Sequence, residues 1–406
     1  MLAFGLLLGA CSQLPPSLGG TKPSAPPPPK VMAVPPPAPA PQMQVQAPQP
    51  PPPPPMPVKG LPNRSGVAAI LVPLSGPQAG IGAALLNAAQ MAVFEVGDDS
   101  FTLLPIDTKG TAEGAQAAAL AAVNQHAEII LGPLFAAETR AVTPVARQAG
   151  LSVLSFTSDR QAVGTGTYTL GFLPGPQAVQ VAAYARSTGK TRLGILAPSN
   201  DYGRRMVEFL QNDSSSSSYI AAVQYYDPNA TDLTAPVKRM VKVNPKQPDD
   251  VGFDALLLPD EGSRLRNLAA MLSMQGVDPA KVKLLGTMLW ADSNPGSEMA
   301  LVGAWYAAPP QAGHADFEAR YLRAFGTKPP RIASLGYDAA ALAAVIAKRG
   351  GHDFNGPALT VSTGFAGIDG IFRLLPDGTS ERGYAIDEVQ SGGQPAKEVS
   401  PAPGSF

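Results

Sequence analysis

Between Gly66 and Gly286 the chain alternates short, continuously apolar runs with alanine-rich stretches of helical length. "VAAILVPL" is followed by "GAALLNAAQMAVFEV", then by "FTLLPID", "AEGAQAAALAAVNQHA", "EIILG", "AAETRAVTPVARQAG" and "LSVLSF". Runs that are apolar throughout and bounded by turn residues predict strands buried on both faces of a parallel sheet, with the intervening stretches as crossover helices. The series then repeats in kind. "AVQVAAYARSTG" leads into "TRLGILAP", "YGRRMVEFLQ" into "YIAAVQYY", "LTAPVKRMVKV" into "FDALLLP", and "RLRNLAAMLSMQG" into "KVKLLGT". From Trp290 onward the pattern predicts two more helices, "DFEARYLRAF" and "SLGYDAAALAAVIAK". It closes with a hairpin, "GIFRLLPDGTSERGYAIDEV", in which Pro376-Asp377-Gly378 supplies the turn chemistry. The predicted fold is α/β, with two doubly wound, Rossmann-like lobes around a central cleft.

The segment before this series has a different texture. Of the 45 prolines, 21 lie between Pro15 and Pro62, and the only charges from Ser12 to Pro62 are Lys22, Lys30 and Lys59. Runs such as "PSAPPPPK" cannot form helices or sheet ladders and favour extended polyproline II. At ~3.1 Å per residue such a stretch could reach on the order of 150 Å, which predicts a long, semi-rigid spacer. Ahead of it, "LAFGLLLGA" is a short apolar run ending in small residues, as at a signal-peptide cleavage site.

Composition narrows the function classes. With 45% hydrophobic residues, 15% charged residues and a formal net charge of −1, the chain can build a large core and shows no basic excess for nucleic acid. No apolar run reaches the ~18 residues of a membrane-spanning helix, so no transmembrane span is expected. The three histidines, His126, His314 and His352, are far apart and show no metal-ligand spacing; neither a metal nor another cofactor is expected. Two short matches to catalytic motifs fail on context. Ser187-Thr188-Gly189-Lys190 fits S-x-x-K, and Gly189-Lys190-Thr191 echoes a phosphate loop, but both run from helix to strand, the reverse of what either chemistry needs. No catalytic residue is assigned.

In open α/β sheets ligands sit beyond the carboxyl ends of the strands, where helix N-termini point free N–H groups into the crevice. The corresponding loops are "SGPQAG" from Ser75, "GPLFAAET" from Gly132, "SFTSD" from Ser155, "SNDYG" from Ser199 and "PDEGS" from Pro259. They supply Ser75, Thr139, Ser155, Thr157, Tyr202 and Asp260 as cleft candidates. Helix capping or turn formation is the alternative role for Ser75, Ser155 and Asp201.

Two resemblances follow from these residues. Leu8-Gly9-Ala10-Cys11 resembles the bacterial lipobox, which implies cleavage before Cys11 and a lipid on its thiol; Cys11 is the only cysteine. No Lys or Arg precedes it, a departure that points to a start codon placed too late. From about Gly66 to Val389 the chain resembles the type I periplasmic binding proteins of the leucine-binding branch. The carriers are "VPLSGPQAGIGAALLNAAQMAV", "EIILGPLFAAETRAVTPVARQAGLSVLSFTS", "SNDYGRRM", "DPNATDLTAPVKRM" and "GFAGIDGIFRLLPDG". The resemblance implies three crossings between lobes, near Leu173 to Gln177, Thr287 to Ala291 and Gly364 to Gly370. It implies a signal peptide over 1–10, a lipidated tether over 11–62, a first lobe of 63–173 plus 290–364, a second lobe of 174–289 plus 365–392, and a flexible tail over 393–406.

The resemblance also implies an amino-acid site, and the sequence departs from it. Members hold the ligand carboxylate with a hydroxyl just after the Gly-x-x motif, where this chain reads Phe135-Ala136-Ala137-Glu138. On the other lobe Tyr202 fits the expected aromatic, and Asp260 or Glu261 the expected acid. Lipid anchor, long tether and an incomplete site together resemble the lipoprotein activators of penicillin-binding proteins. That resemblance implies a non-enzymatic envelope lipoprotein, with Ser12 compatible with outer-membrane sorting, whose partner is a penicillin-binding glycan synthase in peptidoglycan synthesis. The alternative is the substrate-binding lipoprotein of an ABC importer for amino acids or related solutes, whose partner is a permease.

Overall fold

The computed structural model describes residues 66–97, 101–241, 250–348 and 353–406; Cys11, the proline-rich stretch and His352 lie outside the described residues. The first lobe begins with β1 (Gly66–Val72), α1 (Ala79–Val96), β2 (Phe101–Asp107), α2 (Ala112–Asn124), β3 (Ile129–Leu131), α3 (Ala136–Gln148), β4 (Ser152–Ser155) and β5 (Thr167–Thr169). These strands form a parallel sheet in the order β2-β1-β3-β4-β5. The chain then enters the second lobe through α4 (Pro174–Ser187), β6 (Leu193–Pro198), α5 (Asp201–Asn212), β7 (Ile220–Tyr226), α6 (Thr234–Met240), β8 (Ala255–Leu257), α7 (Gly262–Met274), β9 (Lys283–Gly286) and β10 (Trp305–Ala308). Within its larger sheet these strands run β10-β9-β8-β6-β7, the same order as in the first lobe read from the other edge. The repeat predicted from hydrophobic patterning is therefore a repeat of topology.

Continuous apolar runs become strands because both faces of each sheet are covered. On the first sheet, Leu85, Ala89 and Ala92 of α1 form one core with the strands, while Ala115, Ala119 and Ala122 of α2 and Val142 of α3 form the other. On the second, α4 and α5 cover one face through Val181 and Met206, and α6 and α7 cover the other through Val237 and Leu268. The alanine-rich composition of the helices lets them lie close against the strands and each other. Contrary to the sequence expectation, α1 is an 18-residue helix apolar enough by length and composition to cross a membrane. Its seven buried residues, from Gly82 to Ala92, pack in the first lobe. An apolar surface required on more than one side by close neighbours accounts for that composition.

The chain returns to the first lobe through α8 (Gln311–Phe325), α9 (Ala333–Lys348) and the short α10 (Gly356–Leu359). Next come β11 (Phe365–Gly367), β12 (Gly370–Leu374) and β13 (Ser380–Arg382), an antiparallel three-stranded sheet. Its Phe372 and Leu374 belong to the first lobe's core. The predicted turn joins β12 to β13, with Gly378 N–H donating to the Leu375 carbonyl at 2.9 Å. Finally β14 (Ala385–Glu388) and β15 (Lys397–Ser400) add antiparallel to β10 and to each other on the second sheet.

Three boundaries differ from the expectation. The second crossing follows β10, at Pro309-Pro310, and not Thr287 to Ala291, because Trp305–Ala308 is the fifth strand of the second repeat. The third crossing falls at Gly383-Tyr384, so residues 365–382 pack with the first lobe. The segment 393–406 is no loose tail: β15 extends the sheet, and Phe406 lies against the Arg373 guanidinium, 4.6 Å from ring centroid to charge.

Candidate functional site

A strand order of 2-1-3-4-5 has its switch point between the first and third strands, where the loops leave in opposite directions and open a crevice. In the first lobe those loops follow β1 and β3; in the second they follow β6 and β8. They carry Ser75, the Gly132–Phe135 turn with Thr139 behind it, Tyr202, and Asp260. Four of the six candidates thus arise at the switch points, while Ser155 and Thr157 come from the next loop, after β4.

The helices at these points start in the same way. A Cβ on Gly82 of α1 would lie 1.8 Å from the Pro73 carbonyl oxygen, and one on Gly203 of α5 would lie 2.0 Å from that of Pro198. In both lobes a glycine in the first turn lets the helix sit on the carbonyl at the end of the preceding strand. Asn200 caps α5, its side-chain oxygen accepting from the Gly203 N–H at 3.0 Å. This fixes Tyr202 at the rim.

In the first lobe the candidate hydroxyls are engaged by the protein itself. Ser75 Oγ donates to Asp107 Oδ2 at 2.6 Å, and Oδ1 of the same carboxylate accepts from the N–H groups of Leu74 and Lys109, both at 2.8 Å. Burial pushes the Asp107 carboxyl up, but the Ser75 hydroxyl and these N–H groups outweigh it and hold it below its usual range. Ser155 and Thr139 are both fully buried and lie 2.7 Å apart, oxygen to oxygen. Thr139 Oγ1 also reaches the Phe135 carbonyl at 2.9 Å, and Ser155 Oγ reaches that of Pro133 at 3.1 Å. Two protons serve three contacts, so neither hydroxyl has a proton to spare for a ligand. The Thr157 hydroxyl accepts from the Asp159 N–H at 3.1 Å.

The departure at Glu138 has a structural counterpart. Glu138 is 1% exposed, and its Oε2 accepts from the Phe135 N–H at 3.0 Å at the N-terminus of α3. Burial raises its pKa, against the Thr108 hydroxyl and nearby N–H groups. The helix end that could cradle a ligand's carboxylate therefore holds a carboxyl group of its own.

The second lobe is arranged differently. The Tyr202 hydroxyl lies 3.3 Å from Thr287 Oγ1, and the Tyr226 hydroxyl donates to Asp260 Oδ2. Asp260 Oδ1 accepts from the Glu261 N–H at 2.8 Å, and Arg264 Nε stands 3.8 Å from Oδ2. Burial pushes the Tyr202 phenol up to about 12; Thr287 opposes the shift, and the Glu261 and Asp260 carboxylates add to it. Tyr226 is raised for the same primary reason, burial, reinforced by its bond to Asp260. Both phenols stay neutral; Tyr226 spends its proton on Asp260, while in the Tyr202–Thr287 contact either hydroxyl can be the donor, so Tyr202 can keep one to offer. Sequence reasoning missed Tyr226 and Thr287. Their signal was present, since each closes an apolar run at a strand's carboxyl end.

These features match a known family across most of the described chain: a family model described as periplasmic binding protein covers residues 68–394. The chain belongs to the periplasmic binding protein family. Among solved structures, the fold is similar to that of a putative branched-chain amino acid ABC transporter protein from Rhodospirillum rubrum. The TM-score is 0.71 at 17% identity, over 82% of this chain and 100% of that one. It is also similar to a leucine-binding protein from Thermotoga maritima, with TM-score 0.57 at 18% identity, over 82% of this chain and 97% of that one. A Rhodopseudomonas palustris solute-binding protein in complex with 3,4-dihydroxybenzoic acid gives 0.58 at 18% identity, over 84% and 97%. At these identities the likeness establishes the type I periplasmic-binding-protein fold. No curated protein sequence matches the chain. Membership implies a place in the periplasm or cell envelope. Lipidation at Cys11 falls outside the described residues.

Proposed function

We propose that this binding protein is the non-enzymatic solute receptor of an ABC importer, closing its lobes on a small molecule and presenting it to a permease. The observation that carries this reading is the second-lobe cluster, in which Tyr202, Tyr226, Thr287 and Asp260 converge on one switch point. Tyr202 and Asp260 can orient a small polar ligand, with Thr287 and Tyr226 buried behind them and holding them in place. With α3 already occupied by Glu138, the solute favoured is one that offers hydrogen-bond donors or positive charge to Asp260 and needs no carboxylate cradle. Calorimetric titration with leucine, benzoate and simple amines tests this: saturable binding is expected, and Tyr202→Ala should abolish it. Absence of heat with every solute class would remove the importer reading.

A second reading is favoured by a separate observation, the engagement of Ser75, Thr139 and Ser155 within the first lobe. A binding protein with such a half-site, tethered from Cys11 by a proline-rich stretch, is suited to reach a penicillin-binding glycan synthase from the outer membrane and activate it through a surface contact. In-cell crosslinking separates the two readings by what is recovered, a permease or a glycan synthase. Deleting Thr21 to Pro57 should leave import intact and should disable wall synthesis under the second reading.

A further inference from the structure

Beside the candidate cleft, side chains of the two lobes meet directly. Asp159 follows β4 and caps a single 3-10 turn, Arg160–Ala162, accepting from the Gln161 N–H at 3.0 Å. Its Oδ2 pairs with Arg140 of α3, in its own lobe, at 2.6 Å; its Oδ1 pairs with Arg205 of α5, in the other lobe. One residue on, the Arg160 guanidinium lies over the ring of Phe209, also on α5, 5.1 Å from the centroid. Arg205 and Phe209 are four residues apart and so share one face of the helix. A groove of about 450 Å³ runs beneath these contacts, walled by Ser158 to Gln161 from the first lobe and by Pro174, Pro176, Arg205 and Phe209 from the second.

We propose that the Asp159–Arg205 pair and the Arg160–Phe209 contact form a latch between the lobes that biases them toward the closed arrangement. The inference concerns closure itself and stands apart from which solute or partner the protein serves. Position supports it first. Thr157 and Tyr202, two cleft candidates on opposite lobes, lie within three residues of Asp159 and Arg205, so the latch joins the same two segments that carry these cleft candidates. Geometry supports it second. The Asp159 carboxylate is 14% exposed and already oriented within its own lobe by Arg140 and by the Gln161 N–H, so Arg205 docks onto a carboxylate whose side-chain freedom has been spent. Redundancy supports it third, because a charge pair and a cation–π contact act between the same two segments. An isolated exposed ion pair is weak. Here, however, it acts between lobes already joined by three crossings, where a modest differential interaction is enough to shift the open–closed population.

The test uses the full chain without ligand, with Cys11→Ser and spin labels at Gln116→Cys on α2 and Ser273→Cys on α7, and reads the inter-lobe distance distribution. The latched chain should give a predominantly short distribution. Arg205→Glu should add a longer-distance population, and adding Asp159→Arg together with Arg140→Gln, which removes the like charge beside it, should restore the short one, whereas Arg140→Gln alone, which breaks only the intra-lobe pair, should leave it in place. The parent chain supplies an independent reading. Raising salt to about 1 M, where the Debye length is ~3 Å, should lengthen its distances as Arg205→Glu does. A distribution unmoved by both Arg205→Glu and salt, or a charge swap that folds yet stays open, would overturn the proposal.

Discussion

The guanidinium of Arg382, on the last strand before the third crossing, donates to the carbonyl of Leu170, at the start of the first crossing, at 3.3 Å. The same side chain donates to the Asp369 carbonyl, also at 3.3 Å, stands 3.9 Å from Asp338 Oδ2, and lies between the rings of Phe172 and Phe372. His314, four residues past the second crossing, approaches the same cluster, its Nδ1 3.1 Å from Asp369 Oδ1. His314 is a residue of α8, partly buried beside the hinge. One buried charge therefore touches the segments that join the lobes. Arg382→Ala should cost roughly 1–3 kcal/mol, since it leaves the buried Leu170 and Asp369 carbonyls without their donor. The loss should appear as a lower denaturant midpoint.

Asp338 makes stability at this hinge depend on pH. Its Oδ1 accepts from the Ile368 N–H at 2.8 Å. Burial pushes its carboxyl up to about 7 from an ordinary 3.8; Arg382 and the Ile368 N–H oppose the shift, and Asp369 adds to it. Between those two values the folded chain holds a proton that the unfolded chain has lost. The contribution of Asp338 is thus complete below about pH 4 and is lost as pH rises through about 7. Asp369 acts in the opposite sense. Burial works against it, but His314, Arg331 and Ser334 hold its carboxyl below the ordinary range, so its contribution is present at neutral pH and lost in acid. Asp338→Asn removes the first effect and keeps the second. The parent's decline in unfolding free energy from about pH 4 to about pH 7, relative to the variant, should be readable in urea titrations across that window.

Gly203 connects stability to the candidate site. A methyl group there would meet the Pro198 carbonyl at 2.0 Å, so Gly203→Ala should push the first turn of α5 off β6. The expected cost is roughly 1–3 kcal/mol, the range for overpacking a well-filled site. Because Tyr202 and Arg205 flank this residue, the variant should also weaken solute binding, whereas Gly189→Ala, which strains a φ of +94° but meets no atom within 4 Å, should cost stability and leave binding alone. Calorimetry on the two variants side by side checks the contrast.

The parts of the fold that were legible in the sequence are those that local periodicity encodes. β1 to β4 and β6 to β9 are apolar runs between amphipathic or alanine-rich helices, and each appears where the pattern predicts it. What escaped was decided by pairing over long distances. Trp305–Ala308 follows three short 3-10 turns in place of a helix, so nothing local marks it as the fifth strand of a repeat. Lys397–Ser400 is an edge strand with a charged, half-exposed pattern that only β14 makes sense of. At the site, loops and switch points could be read from order alone. That Ser75, Thr139 and Ser155 would be consumed by Asp107 and by backbone carbonyls could not, because those partners lie 16 to 32 residues away in sequence or in a turn whose direction the sequence does not encode.

Glu138 offers the sharpest test of ligand chemistry. Its carboxyl group is seated on the Phe135 N–H at the start of α3, where the helix macrodipole favours negative charge. While it is there, a second carboxylate at the same end meets like charge and fewer free N–H groups. Glu138→Gln keeps the size and a hydrogen-bonding oxygen while removing the charge, so the fold should lose no more than about 1 kcal/mol, the scale of a weakened helix cap. Glu138→Ala goes further and releases the Phe135 N–H, at a cost of roughly 1–2 kcal/mol. If α3 is the blocked half of the cleft, leucine or benzoate should bind these variants more tightly than the parent, in the order Ala over Gln, while affinity for amines falls or stays unchanged. Calorimetry with the same solutes on all three proteins reads the order directly. Equal carboxylate affinities across the series would show that Glu138 caps its helix without shaping the cleft.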